Sequence, residues 1–223
     1  MGINVPYRGP ADLPETLRVF PLSGALLLPR GHMPLNIFEP RYLALVDDAL
    51  RSDRLIGMIQ PDDEGSSEVL APRLYGTGCA GRVTQFAETG DGRYLVTLTG
   101  VARFAVETEL TADTPYRQCQ VDFRRFSADF TARAGEDLVD REAVLDALRR
   151  FAGANDLRVD WKGIEDAPNE ALVNALAMMS PFGAREKQAL LEALDLKARA
   201  EILVAITEFE LAKAGGGSET PLQ

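Results

Sequence analysis

His32 is the only histidine among the 223 residues, and this limits the catalytic chemistry that the chain can support. A serine or cysteine nucleophile needs a general base within hydrogen-bonding reach, and imidazole is the commonest one. Neither Ser23 nor Ser180 lies in a G-x-S-x-G segment. His32 lies in a proline-rich segment, where we expect an exposed turn position; a pairing with Cys79 is the alternative. The sequence therefore predicts a protein that is not an enzyme.

The candidates for cofactor and metal binding lack the context that these sites need. Residues 76–81 read G-x-G-x-x-G, but a dinucleotide site needs a helix after the glycines, and residues 82–86 continue as a strand. We expect these glycines at a bend or bulge where another backbone comes close. The acidic residues 62–64 lack the alternating spacing of a calcium loop, so a solvated loop is expected. Cys79 and Cys119 match no C-x-x-C pattern, and reduced buried thiols are expected. The sequence predicts no cofactor and no metal.

The overall charge opposes attraction to nucleic acid. The net charge is −10 with a pI near 4.7, whereas phosphate neutralisation needs clustered Lys and Arg. Arg117, Arg124 and Arg125 are the basic group best placed for a phosphate, with a solvated strand end as the alternative reading. Trp161 is expected to anchor a linker on a core. No apolar run approaches the ~20 residues that span a bilayer, and the N-terminus lacks signal-peptide features. We expect a cytoplasmic protein that binds neither nucleic acid nor membrane.

Two kinds of pattern follow one another along the chain. Up to residue 126, short apolar or alternating runs separated by Gly, Pro and Asp predict strands, and Asp91-Gly92 predicts a hairpin. Beyond residue 132 apolar residues recur at helical spacing, and Asp195 is placed to cap the last helix. The predicted strands cover residues 17–20, 25–28, 33–37, 55–60, 78–86, 94–103 and 118–123; helices are predicted after Pro40 and over residues 136–152, 169–179, 184–193 and 197–213.

The run from Phe20 to Tyr42, FPLSGALLLPRGHMPLNIFEPRY, is apolar but cannot be one helix. Its four prolines remove backbone donors and fix φ, so the apolar residues must lie in short extended pieces, and Pro40 suits the first position of a helix. The FPL start and the IFEPRY end resemble the opening of the substrate-binding N-terminal domain of Lon proteases. GTGCAGRV at residues 76–83, GVARF at residues 100–104 and the helical residues 186–203 resemble later parts of that domain.

The resemblance implies an α+β fold, in which an N-terminal PUA-like β pseudobarrel with one covering helix is followed by a C-terminal helical bundle. We expect an N-terminal extension over residues 1–14, the barrel over 15–126, the helical domain over 132–213 and a disordered tail over 214–223. Full-length Lon adds an ATPase with a P-loop and a protease with a Ser-Lys dyad. This chain ends before either, so we expect a stand-alone recognition protein.

We expect a non-catalytic module that binds exposed apolar segments of unfolded or damaged polypeptides, by itself or for a protease or chaperone in trans. An exposed apolar surface marks a protein contact, and the candidate contact residues are Leu27, His32, Met33, Ile37 and Phe38. The alternative is that these residues are buried in the core. Two other functions stay open: a small-ligand-binding or enzymatic barrel with a cleft near His32, Glu39, Arg41 or Cys79, and a PUA-type RNA binder. A homodimer is also open.

Overall fold

The computed structural model describes residues 6–62, 72–155 and 161–216. They form two compact units: the first runs to Ala132 and includes Pro181–Leu191, and the second comprises Arg133–Ser180 and the residues from Glu192 onward. Residues 181–191 thus belong to the first unit, whereas the sequence prediction placed them in the helical domain. The predicted acidic loop beyond Asp62 and the tail after residue 216 lie outside the described residues.

A single sheet organises the first unit. The strands found among the described residues are β1 (Thr16–Pro21), β2 (His32–Ile37), β3 (Leu55–Ile59), β4 (Thr77–Glu88), β5 (Tyr94–Leu110) and β6 (Gln118–Asp122). Their order is β2-β5-β4-β3-β1-β6, and β5 also pairs with β6. β1 and β3 are parallel and the other pairs are antiparallel. The first part of β5 pairs with β2 and its last part with β6, so β5, β4, β3, β1 and β6 close a ring and β2 lies outside it.

Phe104 occupies the core that this ring encloses. Its side chain is fully buried, and its ring lies 6.1 Å from that of Phe123 in an edge-to-face arrangement. A Cβ atom on Gly78 would lie 2.4 Å from Phe104 Cζ, and one on Gly57 would lie 3.1 Å from the same atom. The register of β4 also shifts between Ala80 and Gly81. The prediction that these glycines lie in a strand, at a bulge and at positions of close approach, is therefore confirmed.

Local sequence signals correctly predicted where several elements begin or turn. α1 (Pro40–Arg51) begins at its proline, as predicted, and β4 and β5 form the predicted hairpin with positive φ at Gly90 and Gly92. Asp195 Oδ1 accepts a hydrogen bond of 2.8 Å from Ala198 N, which confirms the predicted cap. The other α-helices of the described residues are α2 (Arg141–Ala154), α3 (Trp161–Asp166), α4 (Asn169–Met179), α5 (Ala184–Glu192) and α6 (Leu196–Gly216), and short 3-10 helices cover Pro10–Asp12, Arg124–Phe130 and Glu136–Leu138.

Several elements of the described residues differ from the sequence prediction. Residues 25–28 form no strand, although residues 26–28 are buried. The helix predicted from residue 136 begins at Arg141, because the Asp140 side chain accepts from Ala143 N and so caps it there. Trp161, predicted to lie in a linker, begins the short helix α3.

Amide side chains join α5 to the sheet within the first unit. Gln60 Nε2 donates to Ala184 O at 2.9 Å and to Gln188 Oε1 at 3.1 Å. Gln188 Nε2 in turn donates to Thr77 O at 3.2 Å. Both glutamines are buried, so these bonds satisfy polar groups that would otherwise be desolvated at a cost.

In the second unit, α2 and α4 pack against α6. Arg150 on α2 forms a salt bridge with Glu208 on α6, and buried Arg199 on α6 donates to Asn174 Oδ1 on α4 at 3.0 Å. Phe209 on α6 is exposed. No helix in the described part of the chain is both long and apolar enough to cross a membrane.

Candidate functional site

The leucines that precede β2 belong to the core. Leu26, Leu27 and Leu28 are each at most 2% exposed. A Cβ atom on Gly81 would lie 2.7 Å from Leu27 Cδ2, so Leu27 packs directly over β4. The sequence placed Leu27 among the candidate contact residues, and the structure corrects this, because a side chain that is 1% exposed has no surface to offer a partner.

β2 presents its residues alternately to the core and to the surface. Ile37 is 2% exposed, which removes it from the candidate contact residues as well, and Met33 is half-buried on the same side. His32 is exposed, as predicted, but it begins a strand and is not in a turn. Its Nδ1 lies 3.0 Å from Thr99 Oγ1. Cys79 is opposite Arg103 on β5, four residues or about 13 Å along that strand from Thr99, so the alternative pairing of His32 with Cys79 is not formed.

Three exposed apolar side chains lie at the end of the sheet formed by β2, β5 and β4. Phe38, which follows β2 directly, is 61% exposed; Leu95 on β5 is 49% exposed and Phe86 on β4 is 38% exposed. We call Phe38 and Leu95 the hairpin-end patch. Leu95 is opposite Asn36, two residues before Phe38, so Leu95 and Phe38 lie two register positions apart. Phe86 is opposite Val96, the next residue after Leu95, so its side chain lies on the other face of the sheet, beside Tyr94.

α1 supports the strands beneath the hairpin-end patch. The ring of Tyr94 lies 4.9 Å from that of Phe86, edge to face, and Tyr94 Oη donates to Asp47 Oδ1 on α1 at 3.1 Å. The hydrogen bond to this carboxylate is the main cause that raises the pKa of Tyr94 above its usual value, because it stabilises the protonated phenol. The patch therefore rests on a braced strand pair, although its residues stay exposed.

A buried ion pair fixes the segment that leads into β2. Arg103 Nη2 donates to Asp129 Oδ1 at 2.8 Å, and Arg103 N and Nε both donate to Asp129 Oδ2 at 2.9 Å. Asp129 O accepts from Arg30 Nη1 at 2.7 Å, and Arg30 has a positive φ of 64°. The guanidinium of Arg103 also lies 4.7 Å from the centre of the Phe126 ring. This network holds residue 30, and with it the start of β2, against the sheet.

Close backbone contacts complete that attachment. Arg30 N donates to Gly100 O at 2.8 Å, and Gly100 N donates to Gly31 O at 2.9 Å. A Cβ atom on Gly100 would lie 2.0 Å from Leu28 O, so only glycine allows this approach. The position of β2 is thus determined by backbone contacts as well as by the buried ion pair.

The comparisons with known proteins agree with this arrangement. The family model of the ATP-dependent protease La (LON) substrate-binding domain matches residues 16–208. The chain belongs to the Lon substrate-binding domain family. Lon protease 2 of Myxococcus xanthus is 29% identical in an alignment of 211 positions, which covers 87% of this chain and 24% of that protein. Lon protease 2 of Sorangium cellulosum is 30% identical in an alignment of 217 positions, which covers 91% of this chain and 26% of that protein. The chain spans about a quarter of the length of these relatives.

Two solved structures show the same fold. The Lon N-terminal domain protein from Xanthomonas campestris has a TM-score of 0.61 at 24% identity and covers 85% of this chain and 97% of its own. The N-terminal domain of Mycobacterium avium complex Lon protease has a TM-score of 0.64 at 16% identity and covers 86% of this chain and 98% of its own. The mixed sheet and helices described above are therefore the architecture of Lon N-terminal domains.

The Lon-like motifs of the sequence serve mainly to build the fold. In IFEPRY, Arg41 pairs with Glu39, and Tyr42 stacks on Phe20 with ring centres 4.0 Å apart. In GVARF, Arg103 binds Asp129 and Phe104 fills the core. Of the family motif residues, the one that directly joins the hairpin-end patch is Phe38. Sequence reasoning found Phe38 but missed Leu95, although the alternation around Asp91-Gly92 already placed Leu95 on a strand.

The other candidate chemistries find little support among the described residues. Arg117 and Arg124 have acidic partners, Glu109 and Asp122, which the sequence prediction did not identify. An open groove of about 730 Å³ lies between residues 10–15 and 120–124, and none of the residues that the ligand-binding alternative named lines it: His32, Glu39, Arg41 and Cys79. The described residues hold no group of three or more His, Cys, Asp or Glu side chains arranged for a metal ion.

Proposed function

We propose that this chain is a polypeptide-recognition module, in which the hairpin-end patch contacts exposed apolar segments of unfolded or damaged polypeptides. Membership of the Lon substrate-binding domain family supports the polypeptide as ligand. The observation that carries the location is the exposure of Phe38 and Leu95 at the ends of two adjacent strands. Exposed apolar residues that cluster in this way mark contact surfaces.

The rigidity of the support favours this surface as a binding site. Tyr94 ties the patch to α1, and Arg30 and Gly100 hold the beginning of β2. A surface that is ordered before binding loses less conformational entropy when a partner arrives. We further propose that the closed ring of strands is the PUA-like pseudobarrel and that the helices of the second unit form the predicted bundle. We also propose that the captured polypeptide passes to a protease or chaperone in trans.

The first test compares an unfolded protein with its folded form. Fluorescently labelled α-lactalbumin, reduced and alkylated so that it stays unfolded, should bind this chain, whereas native α-lactalbumin should not. The change in fluorescence anisotropy on titration measures both affinities. Equal binding of the two forms, or no binding of either, would refute the proposal.

The second test locates the surface. The double variant Phe38→Asp, Leu95→Asp should bind unfolded α-lactalbumin at least tenfold more weakly, because each side chain contributes about 1–2 kcal/mol when the rest of its surface becomes buried. Leu194→Asp is the matched control, since Leu194 is an exposed apolar residue of the second unit. All these variants should fold, whereas Leu27→Asp should not. If the Leu194 variant binds as weakly as the Phe38 and Leu95 variant, the hairpin-end patch is not the site.

A further inference from the structure

β2 has one paired edge and one edge that no other described strand pairs with. It stands at the end of the strand order, next to β5. Two backbone hydrogen bonds determine which of its groups face each edge: Gly100 N donates to Gly31 O at 2.9 Å, and Thr89 N donates to Arg93 O at 3.2 Å on the β4 side of β5. Successive residues of an antiparallel strand direct their backbone groups to opposite edges. Arg93 and the other odd-numbered residues of this part of β5 therefore face β4, and its even-numbered residues face β2. The residues opposite them on β2 are odd-numbered, so the odd-numbered residues of β2 face β5.

The even-numbered residues of β2 therefore direct their backbone groups outward. They are His32, Pro34 and Asn36, and all three are exposed. Pro34 has no N–H group, and at this position the missing donor would have pointed away from β5, so the β2–β5 pairing loses no bond. The open edge offers the N–H groups of His32 and Asn36 and the C=O groups of all three residues.

The composition of β2 lacks the usual protection of an open edge. Edge strands commonly carry Lys or other charged residues that prevent another strand from pairing with them. β2 reads HMPLNI and has no Asp, Glu, Lys or Arg, although 26% of the chain is charged. Pro34 alone limits pairing, since it removes one of the three outward donors. The edge also leads directly into Phe38 of the hairpin-end patch.

We infer that the open edge of β2 binds an extended, uncharged segment of an unfolded polypeptide as an added strand. A row of backbone donors and acceptors is complementary to another extended backbone, and this mode of recognition needs little side-chain specificity. Alternate apolar side chains of the bound segment would then lie against the hairpin-end patch. The inference rests on the proposed function and adds the way in which the polypeptide is held.

The test of backbone pairing uses a labelled peptide in which threonine and valine alternate, with a lysine at each end for solubility. Two further versions carry N-methyl groups, one on every threonine and the other on every valine. An added strand directs only one of these two sets toward β2, so one version should lose saturable binding and the other should bind within about twofold of the parent peptide. Equal affinities for both versions would overturn strand addition.

Variants of β2 provide the matching test on the protein. Asn36→Pro removes an outward donor and should weaken peptide binding about tenfold, whereas Asn36→Ala keeps the donor and should bind like the original chain. Pro34→Ala restores the third outward donor and should strengthen binding. A folding defect would not produce opposite effects from Asn36→Pro and Pro34→Ala, and thermal unfolding checks each variant. If neither substitution changes the affinity, the edge is not the site.

The outcomes separate this inference from the proposed function. Failure of unfolded α-lactalbumin to bind refutes both. If α-lactalbumin and the peptide both bind, but neither N-methylation of the peptide nor substitution of Pro34 and Asn36 changes the affinity, strand addition alone is overturned. Sedimentation of Pro34→Ala as a dimer that no longer binds peptide would show that the edge takes a second copy of this chain, and would also overturn it.

Discussion

Replacing Arg103 by methionine should destabilise the first unit by about 3–5 kcal/mol, because it leaves the Asp129 carboxylate buried without its cation. The side chains of Arg103 and Asp129 are only 4% and 8% exposed, so water cannot replace the lost partner. Arg103 also donates to Leu191 O at 3.1 Å, and that carbonyl loses a donor. Methionine preserves much of the apolar packing of the arginine side chain. The loss of stability therefore comes mainly from the broken polar network and not from a cavity.

Arg124 provides a control with the same local bonding and the opposite burial. Its backbone N and its Nε both donate to Asp122 Oδ1, at 2.9 and 2.8 Å, as those of Arg103 do to Asp129. The Arg124 side chain, however, is 78% exposed. Exposed ion pairs contribute little, since water solvates both partners when the pair breaks. Arg124→Met should therefore leave the urea midpoint unchanged within error.

Urea denaturation followed by circular dichroism measures the effect. With a denaturant dependence of about 2 kcal/mol per M, a loss of 3–5 kcal/mol lowers the midpoint by about 1.5–2.5 M. Fluorescence of Trp161, the sole tryptophan, follows the second unit separately. The double variant Arg103→Met, Asp129→Leu should be more stable than Arg103→Met, because it removes the unpaired charge. A midpoint for Arg103→Met equal to that of Arg124→Met, or additive losses in the double variant, would refute this reasoning.

Two further predictions concern the core. Gly78→Ala should destabilise the protein by about 1–3 kcal/mol in urea denaturation, because its Cβ would lie 2.4 Å from Phe104 Cζ and 2.6 Å from a backbone oxygen. A Cβ on Gly76 would meet no atom within 4 Å, so Gly76→Ala should be neutral. Equal urea midpoints for the two variants would contradict the packing argument. Burial raises the pKa of Cys119 from 9.0 to about 11. Between about pH 9 and pH 11 the folded state therefore keeps the thiol proton, whereas the unfolded state loses it. The contribution of this thiol to the free energy of unfolding is complete below about pH 9, and about 3 kcal/mol of it is lost as the pH rises to about 11. Thermal unfolding of Cys119→Ala should show a smaller decline over that interval, and an identical decline would exclude the thiol as the cause.

Several features of this protein were predictable from local sequence, because local geometry alone produces them. A proline fixes φ wherever it occurs, so Pro40 marked the start of α1 before any packing was known. Asp91-Gly92 required a tight turn, and Asp195 supplied a helix cap. The IFEPRY and GVARF segments, taken together, indicated the family that the comparisons confirm.

Tertiary structure decided which apolar residues are available to a partner. Leu27 and Phe38 are both large apolar residues in one proline-rich run, but one is 1% and the other 61% exposed. The difference arises because residues far along the chain, among them Gly81 on β4, create the space that Leu27 fills. Exposure therefore depends on long-range pairing, which the composition of the run does not contain.

Long-range pairing also created the polar network and the open edge. Arg103 meets Asp129 across 26 residues of sequence, and Gln60 meets Gln188 across 128, which brings α5 to the first unit. The sequence showed a family and a short strand containing a proline. Only the register of that strand against β5 revealed that Pro34 turns its missing donor outward, because the direction of each backbone group depends on the partner strand.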